Sequence, residues 1–147
     1  MIHAVRLQAT IELMHEVDSV PRPADAVVSA WFRARRYIGD KAHGQILELL
    51  YALLRHQGRL GWWLVKHGRE DMPRTRLLAW LTLKEGKTPD QIKRLFNGAK
   101  FAPAILMDHE HALTRRYQLD ISRLSQTSSN RERVTPPNTH PRTRLCP

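Results

Sequence analysis

Apolar residues recur along this chain at steps of three and four, and this spacing constrains the fold more than any other feature. The pattern is clearest at Ile46, Leu49, Leu50, Leu53 and Leu54, which follow i, i+3, i+4, i+7 and i+8. Such spacing places the side chains on one wide stripe of an α-helix that faces a core. No stretch of useful length alternates apolar and polar residues, as a half-buried strand requires. The sequence therefore predicts an all-α fold.

Prolines and glycines divide this pattern into about six helices. The predicted buried face of the first helix carries Ile2, Val5, Ala9, Leu13 and Val17. A second helix is predicted from Pro23, and a third has Asp40 as its N-cap. Gly58 and Gly61 are predicted to break or bend the third helix. The tryptophans stand beside core-type positions and are predicted to pack in the interior: Trp31, Trp62, Trp63 and Trp80.

The later helices carry sharper local signals. A fourth helix is predicted from Pro73, with Gly86 placed to end it. Thr88, Pro89 and Gln91 form a capping box with proline at the first helical position, which predicts a short fifth helix. The stretch "KFAPAIL" that follows is predicted to be an extended loop, and residues 108–118 the last helix.

The C-terminal segment has a different composition. Residues 122–147 contain four prolines, five arginines, one glutamate and no aromatic residue. Such a segment cannot bury enough apolar surface to offset the entropy lost on ordering. We therefore predict a folded domain over residues 1–121 and a disordered basic tail over residues 122–147.

The charge balance favours an anionic partner. Lys and Arg outnumber Asp and Glu by 24 to 14, a formal net charge of +10, and residues 1–121 alone carry 19 against 13. An excess of this size raises the odds of binding nucleic acid. No apolar run approaches the roughly 18 residues of a membrane span, and no signal-peptide pattern opens the chain. We expect a soluble cytoplasmic protein with no membrane partner.

No pattern predicts catalysis, a cofactor or a metal. A nucleotide or S-adenosylmethionine site in an α/β domain requires a strand and a Gly-rich turn, and none of the seven glycines forms a GxG pair. His109 and His111 are two residues apart, so they do not face each other on a helix as zinc ligands at i, i+4 do. The single Cys146 excludes an internal disulfide. The predicted sets of catalytic, cofactor-binding and metal-binding residues are empty.

The stretch "RARRYIGDK" at residues 33–41 is the strongest candidate for a binding site. Cations at the end of one helix and the start of the next, beside free backbone N–H groups, suit phosphate contacts. The cations concerned are Arg33, Arg35, Arg36 and Lys41, with Arg55 and Arg59 further along the third helix. Tyr37 offers a face on which an RNA base could stack. The alternative is an ordinary solvated helix end, because Arg and Lys favour helix C-termini.

Several segments occur in a recognisable order: "RPADAV", "FRARRYIGDK", "ELLYALLR", "GRLGWWL" and "TPDQIKRLFNGAKFAPAILMDHE". This succession resembles the N-terminal region of bacterial RsmB/NOP (Fmu/Sun) methyltransferases, and its most specific parts are "RRYIGDK" and the G-x-x-F-A-P stretch at 98–103. In that family a NusB-like helical domain precedes a Rossmann-like domain that methylates cytosine C5 of ribosomal RNA. The resemblance implies a NusB-like RNA-binding domain over residues 1–121.

The match to the family's basic turn consists of Arg35, Arg36, Gly39 and Lys41. Asp40 replaces a Ser-like residue. His43 and Gly44 stand where two further basic residues are usual, which implies a smaller cationic patch. His43 completes the predicted RNA-binding set.

The resemblance stops where the family's catalytic domain would begin. The cofactor-binding strand-turn-helix and both catalytic cysteines of the family have no counterpart, which implies that the chain is not an enzyme by itself. The change near Ser122 suggests a truncated or frameshifted gene, and sequencing the locus for an in-frame downstream domain would test this. The predicted function is binding of ribosomal RNA. The alternatives are a truncated methyltransferase identified by homology alone and a protein–protein interaction module.

Overall fold

The computed structural model of the chain describes the backbone of residues 2–132 and the side chains of residues 2–120. All regular structure within the described backbone is helical. Six helices follow one another: α1 (His3–Ser19), α2 (Ala24–Arg33), α3 (Asp40–Lys66), α4 (Pro73–Leu83), α5 (Pro89–Leu95) and α6 (Asp108–Glu132). No strand occurs among the described residues. The prediction of an all-α fold with about six helices is confirmed.

Helix α4 lies at the centre of the fold. It packs against α1, α3, α5 and α6. Its buried residues surround the helix rather than forming one stripe: Arg76, Leu77, Leu78, Ala79, Leu81 and Thr82. A helix that is covered on all sides needs apolar residues at nearly every position, which explains the sequence "LLAWL". Helix α2 is more peripheral and packs on α1.

One core connects the helices. Its largest fully buried side chains are Tyr117, Phe96, Leu7, Leu13, Met14, Ile46, Leu50, Leu53, Leu64, Leu77, Leu78 and Leu81. Each such side chain contributes about 2 kcal/mol when it is removed from water. The leucines of α3 that the periodicity singled out form one wall of this core.

Local signals place the helix starts well. The capping box of α5 is confirmed, because Thr88 Oγ1 accepts from the Gln91 N–H at 3.3 Å and the Thr88 N–H donates to Gln91 Oε1 at 3.0 Å. Helix α4 begins at Pro73, as predicted. The predicted cap of α3 is wrong by one residue, since Gly39 is the N-cap and Asp40 is the first helical residue. There the Asp40 carboxylate still lies near the positive end of the helix dipole.

The predicted break at Gly58 and Gly61 is wrong, because α3 continues through both to Lys66. Glycine inside a helix costs only about 1 kcal/mol, which the packing of a long helix overcomes. Gly61 instead allows the Asp71 side chain to lie close to the helix backbone. A Cβ atom at Gly61 would lie 2.9 Å from Oδ2 of Asp71, in the loop that follows α3.

The buried face of α1 is rotated by about a quarter turn from the predicted stripe. Ile2 precedes the helix and is 66 % exposed, whereas Leu7 and Met14 are fully buried. Ala9 and Leu13 of the predicted set are buried as predicted, and Val17 packs against the core.

Helix α6 is longer than predicted. The sequence indicated an end near residue 118, and the helix runs to Glu132. The proposed boundary between residues 1–121 and the tail at 122–147 therefore falls inside this helix. From residue 133 onward the predicted tail lies outside the described residues.

Arg76 is buried where three elements meet. Its guanidinium donates to Asp71 Oδ1 in the α3–α4 loop, and to Asp18 Oδ2 at the end of α1 at 2.9 Å. Burial opposes the charge on Arg76, but its hydrogen bonds to Asp71 and Asp18 raise the pKa further above its ordinary value. The cation therefore stays ionised and ties α1 and the loop to α4.

Arg74 forms a second such junction, between α4 and the segment that leads into α6. Its guanidinium donates to both carboxylate oxygens of Glu110, at 2.8 Å and 3.0 Å. Burial would raise the pKa of Glu110, but the bonds from Arg74 and from the Met107 N–H hold this pKa below its ordinary value. Two-point pairing of this kind fixes geometry as well as charge.

Candidate nucleic-acid interface

The turn between α2 and α3 gives the candidate interface its shape. The Arg35 carbonyl accepts from the Ile38 N–H at 3.1 Å, which closes a tight turn with Arg36 and Tyr37 at its tip. Ile38 is buried and anchors the turn, whereas the Tyr37 side chain is 78 % exposed. The sequence predicts that an RNA base could stack on Tyr37, and most of this side chain is open to solvent.

The cations of this turn are not neutralised. Arg33 is exposed, and its Nε donates weakly to the Ser29 carbonyl at 3.4 Å. Arg35 is half-buried, with its guanidinium 4.1 Å from the centre of the Trp31 ring. Arg36 is exposed. Within residues 2–120, none of the three forms an ion pair with a carboxylate.

An open groove of about 580 Å³ lies between α2 and the first half of α3. Its lining consists of Asp25, Val28, Ser29, Phe32, Arg33, Arg35, Arg36, Ile38, His43, Leu47 and Tyr51. The fold therefore brings together four of the seven predicted residues, namely the three arginines and His43. We call this feature the α2–α3 groove.

The groove also has aromatic and acceptor groups. The His43 ring stacks on Phe32, with ring centres 3.8 Å apart and planes at 23°. Tyr51 donates its hydroxyl hydrogen to Asp25 Oδ1 at 2.6 Å, and this bond raises the pKa of Tyr51. The sequence did not single out Asp25 and Tyr51. They are 26 residues apart, and no local pattern links them.

The other predicted residues lie elsewhere on α3. Lys41, Arg55 and Arg59 are all exposed, and none lines the groove. Arg55 and Arg59 lie about 21 Å and 27 Å along the helix axis from Lys41, at 1.5 Å per residue. These spacings are close to whole turns, so the three cations share one outer face of α3. The structure thus divides the predicted set into the groove and this outer face.

Trp62 corrects the prediction that all four tryptophans pack inside. It is 59 % exposed, and the Lys66 ammonium lies 5.1 Å from its ring centre. Position 62 lies half a turn from Leu60 and Leu64, which are buried. The helical period itself could have assigned Trp62 to the outer face, beside Arg59 and Lys66. Trp31, in contrast, is buried as predicted.

A second cavity, of about 320 Å³, lies between α1, α3 and α4. Burial and the charges of Arg6 and Lys87 lower the pKa of His3, which lines it. The same cavity carries the carboxylates of Glu48 and Glu85. It therefore lacks the cationic excess of the α2–α3 groove and is the poorer site for an anion.

Other site classes find no support in the described part of the chain. Within residues 2–120, no group of three or more His, Cys, Asp or Glu side chains is arranged to hold a metal ion. None of the helices there has both the length and the apolar character needed to cross a membrane.

Comparison with protein-family models, with curated proteins and with solved structures gives no match for this chain.

Proposed function

We propose that this chain is a non-catalytic RNA-binding module that holds single-stranded RNA in the α2–α3 groove. The observation that carries the proposal is the convergence of Arg33, Arg35 and Arg36 on one open groove without carboxylate partners among residues 2–120. Unpaired guanidinium groups are free to neutralise phosphates and to release counterions. The resemblance to RsmB/NOP methyltransferases adds ribosomal RNA as the substrate class.

The groove suits a single strand better than a duplex. Tyr37 at the rim offers a ring for base stacking, and bases are available for stacking only where they are unpaired. Asp25 and Tyr51 also line the groove, and because the Tyr51 hydroxyl hydrogen is donated to Asp25, both side chains are left as acceptors for the amino groups of a base edge. Arg33 and Arg36 line the same groove and are exposed, so they are available to the sugar-phosphate backbone.

The outer face of α3 could extend this surface. Lys41, Arg55 and Arg59 stay predicted RNA contacts, and Trp62 adds a second exposed ring to their face. A strand running from His43 in the groove to Arg59 would span about 24 Å along the helix axis. The smallest site that we propose is the groove alone, and a longer site would also include the outer face of α3.

Salt titration of RNA binding tests the proposal. For labelled single-stranded ribosomal RNA fragments, we expect log K to fall steeply with log salt, at about 0.7 per phosphate contact. The triple variant R33A/R35A/R36A should bind more weakly and flatten this slope by up to about 2. The matched control K84A/K93A/R115A removes three exposed charges that do not line the groove, and its slope should change little.

Two results would contradict the proposal. One is RNA binding that does not depend on salt. The other is an equal loss of RNA affinity in R33A/R35A/R36A and in the control K84A/K93A/R115A. The double variant R55A/R59A shows whether the outer face of α3 belongs to the site. A flatter salt slope would include this face, and an unchanged slope would restrict the site to the groove. Methyl transfer from labelled S-adenosylmethionine to RNA by the purified chain would overturn the non-catalytic part. A chain that binds no RNA would favour the protein–protein alternative.

A further inference from the structure

The loop between α5 and α6 exposes three large apolar side chains. Phe101 is 69 % exposed, Ile105 65 % and Met107 64 %, all within seven consecutive residues. Between them Pro103 and Leu106 are buried and anchor the loop to the core. Single exposed apolar residues are normal on a protein surface, but a group on one loop indicates a binding surface. None of the three lines the α2–α3 groove.

This loop is built to hold its shape. The Gly98 N–H donates to the Pro103 carbonyl at 3.0 Å, and the Ala102 N–H donates to the Ala99 carbonyl at 2.9 Å. Gly98 has a φ of +68°, and a Cβ atom there would lie 3.0 Å from Cγ1 of Ile105. A preordered loop loses little entropy when a partner binds.

Arg74 fastens the same loop to α4. Besides its pair with Glu110, its guanidinium donates to the carbonyl oxygens of Ala104 at 2.9 Å and Ile105 at 3.3 Å. The Met107 N–H donates to Glu110 at 2.9 Å. The backbone of two of the three apolar residues is therefore fixed by a bonded ion pair.

Phe101 adds an observation that core packing does not explain. Its φ of +65° is the only positive value at a non-glycine residue in the described chain. A bulky side chain in this region is strained, and such strain clusters at binding and catalytic sites. Here the strained residue points most of its ring into solvent instead of the core.

The surrounding charges indicate the chemistry of a partner. Residues 91–107 contain three exposed cations and no acid: Lys93, Arg94 and Lys100. Asp90 and Asp108 border this stretch and line a surface pocket together with Lys93, which leaves Arg94 and Lys100 as the cations available to a partner. The Lys100 ammonium lies 5.2 Å from the Phe101 ring centre. Ile105 and Met107 have no aromatic face for a base, whereas apolar and thioether side chains are common in protein interfaces. A second copy of this chain would bring the same cations against themselves.

We propose that residues 97–107 form a docking surface for a protein segment in which acidic residues accompany large apolar ones. Phe101, Ile105 and Met107 would contact the apolar side chains of that segment. Arg94 and Lys100 would face its carboxylates. This surface is independent of the α2–α3 groove, so either proposal can fail alone.

A random 16-residue peptide display library, panned on the full chain, tests this surface. We expect the selected peptides to combine Asp or Glu with Leu, Phe or Met. Synthesised copies should lose about tenfold or more in affinity on F101G and on I105S/M107S. The matched control L119S removes a similarly exposed apolar side chain on α6, and affinity should not change. F101G should also raise the thermal midpoint, because glycine relieves the strained backbone.

Four results would overturn the proposal. The library could yield no peptide, or peptides without acidic and apolar residues. The selected peptides could bind all variants equally. The loop variants could lose RNA binding instead, which would assign the loop to the RNA surface. Sedimentation could show that the wild-type chain self-associates and that I105S/M107S does not, which would make a second copy the occupant.

Discussion

Two groups of arginines in this molecule differ in their partners: one group is paired with carboxylates inside the fold, and the other is not paired with any carboxylate of residues 2–120. In α4, Arg74 and Arg76 bond to Glu110, Asp71 and Asp18, and their charge is consumed within the fold. In the α2–α3 groove, Arg33, Arg35 and Arg36 meet backbone carbonyls, an indole ring or solvent, and no described carboxylate. Only the second group can neutralise an external anion. The net charge of +10 does not show this difference, because it sums cations and acids without regard to which of them are paired.

Replacing Arg76 with Met should have the largest effect on stability. The change leaves Asp18 and Asp71 facing each other without a cation, beside the buried face of α4. Breaking a buried pair costs about 3–5 kcal/mol, and the lower end applies because both carboxylates keep part of their hydration. Urea unfolding measures the loss. The control R36M should change stability by less than about 0.5 kcal/mol. A loss for R76M as small as that of R36M would end the distinction between the two groups.

Replacing Arg74 with Ala should cost about 2 kcal/mol, because Glu110 then stays buried with only the Met107 N–H as a donor. The pKa of Glu110 is held below its ordinary 4.5 in the folded chain. Its contribution to stability is therefore complete above pH 4.5 and is lost as the pH falls through the folded-state pKa.

Urea unfolding at about pH 7 and about pH 3 tests the coupling of Arg74 to Glu110. The stability gap between the wild type and R74A should narrow at the lower pH, because protonated Glu110 no longer needs the cation. An unchanged gap would mean that Arg74 acts through its carbonyl contacts with the loop and not through Glu110.

Alanine substitutions at two glycines of α3 test whether Asp71, which is bonded to Arg76, can move aside. Gly58→Ala should stabilise the chain by about 1 kcal/mol, because nothing lies within 4 Å of the new Cβ and alanine favours the helix. Gly61→Ala should destabilise by a net of about 1 kcal/mol, because its Cβ meets the Asp71 carboxylate. Thermal unfolding compares the two. Equal stabilisation by both changes would show that Asp71 moves aside at little cost.

The smallest effect on stability is expected at the groove. Arg36→Ala should change the free energy of unfolding by less than about 0.5 kcal/mol, since the side chain is exposed. Its salt slope for single-stranded RNA should fall by about 0.7. Arg116→Ala on α6 removes an equally exposed cation and serves as the control. Matching slopes for the two variants would remove Arg36 from the site.

Features with short-range causes could be predicted from the sequence. The capping box at Thr88 and Gln91 and the start of α4 at Pro73 each depend on residues within one turn. The clustering of Arg33, Arg35 and Arg36 was likewise visible, because the three lie in one short stretch. The order and number of the helices follow from the same local chemistry.

Features with long-range causes could not be predicted. Arg76 and Asp18 are 58 residues apart, and Arg74 and Glu110 are 36 apart. No local pattern therefore distinguishes these paired arginines from the arginines of the α2–α3 groove.

Two other differences follow from helix geometry that the sequence does contain. Arg55 and Arg59 are predicted in one set with the turn, although the rise of a helix places them about 20 Å or more from it. The outward position of Trp62 was also available from the helical period, but its neighbours Trp63 and Leu64 obscured it.

Photo-crosslinking most directly tests the claim that the α2–α3 groove holds RNA. A single-stranded ribosomal RNA fragment carrying 4-thiouridine is irradiated with the full chain, and the crosslinked peptides are identified by mass spectrometry. We expect crosslinks at Tyr37 and at groove residues such as His43, and we expect the variant R33A/R35A/R36A to lose them. Crosslinks confined to α5, α6 or the loop at 97–107, and unchanged in that variant, would contradict the claim.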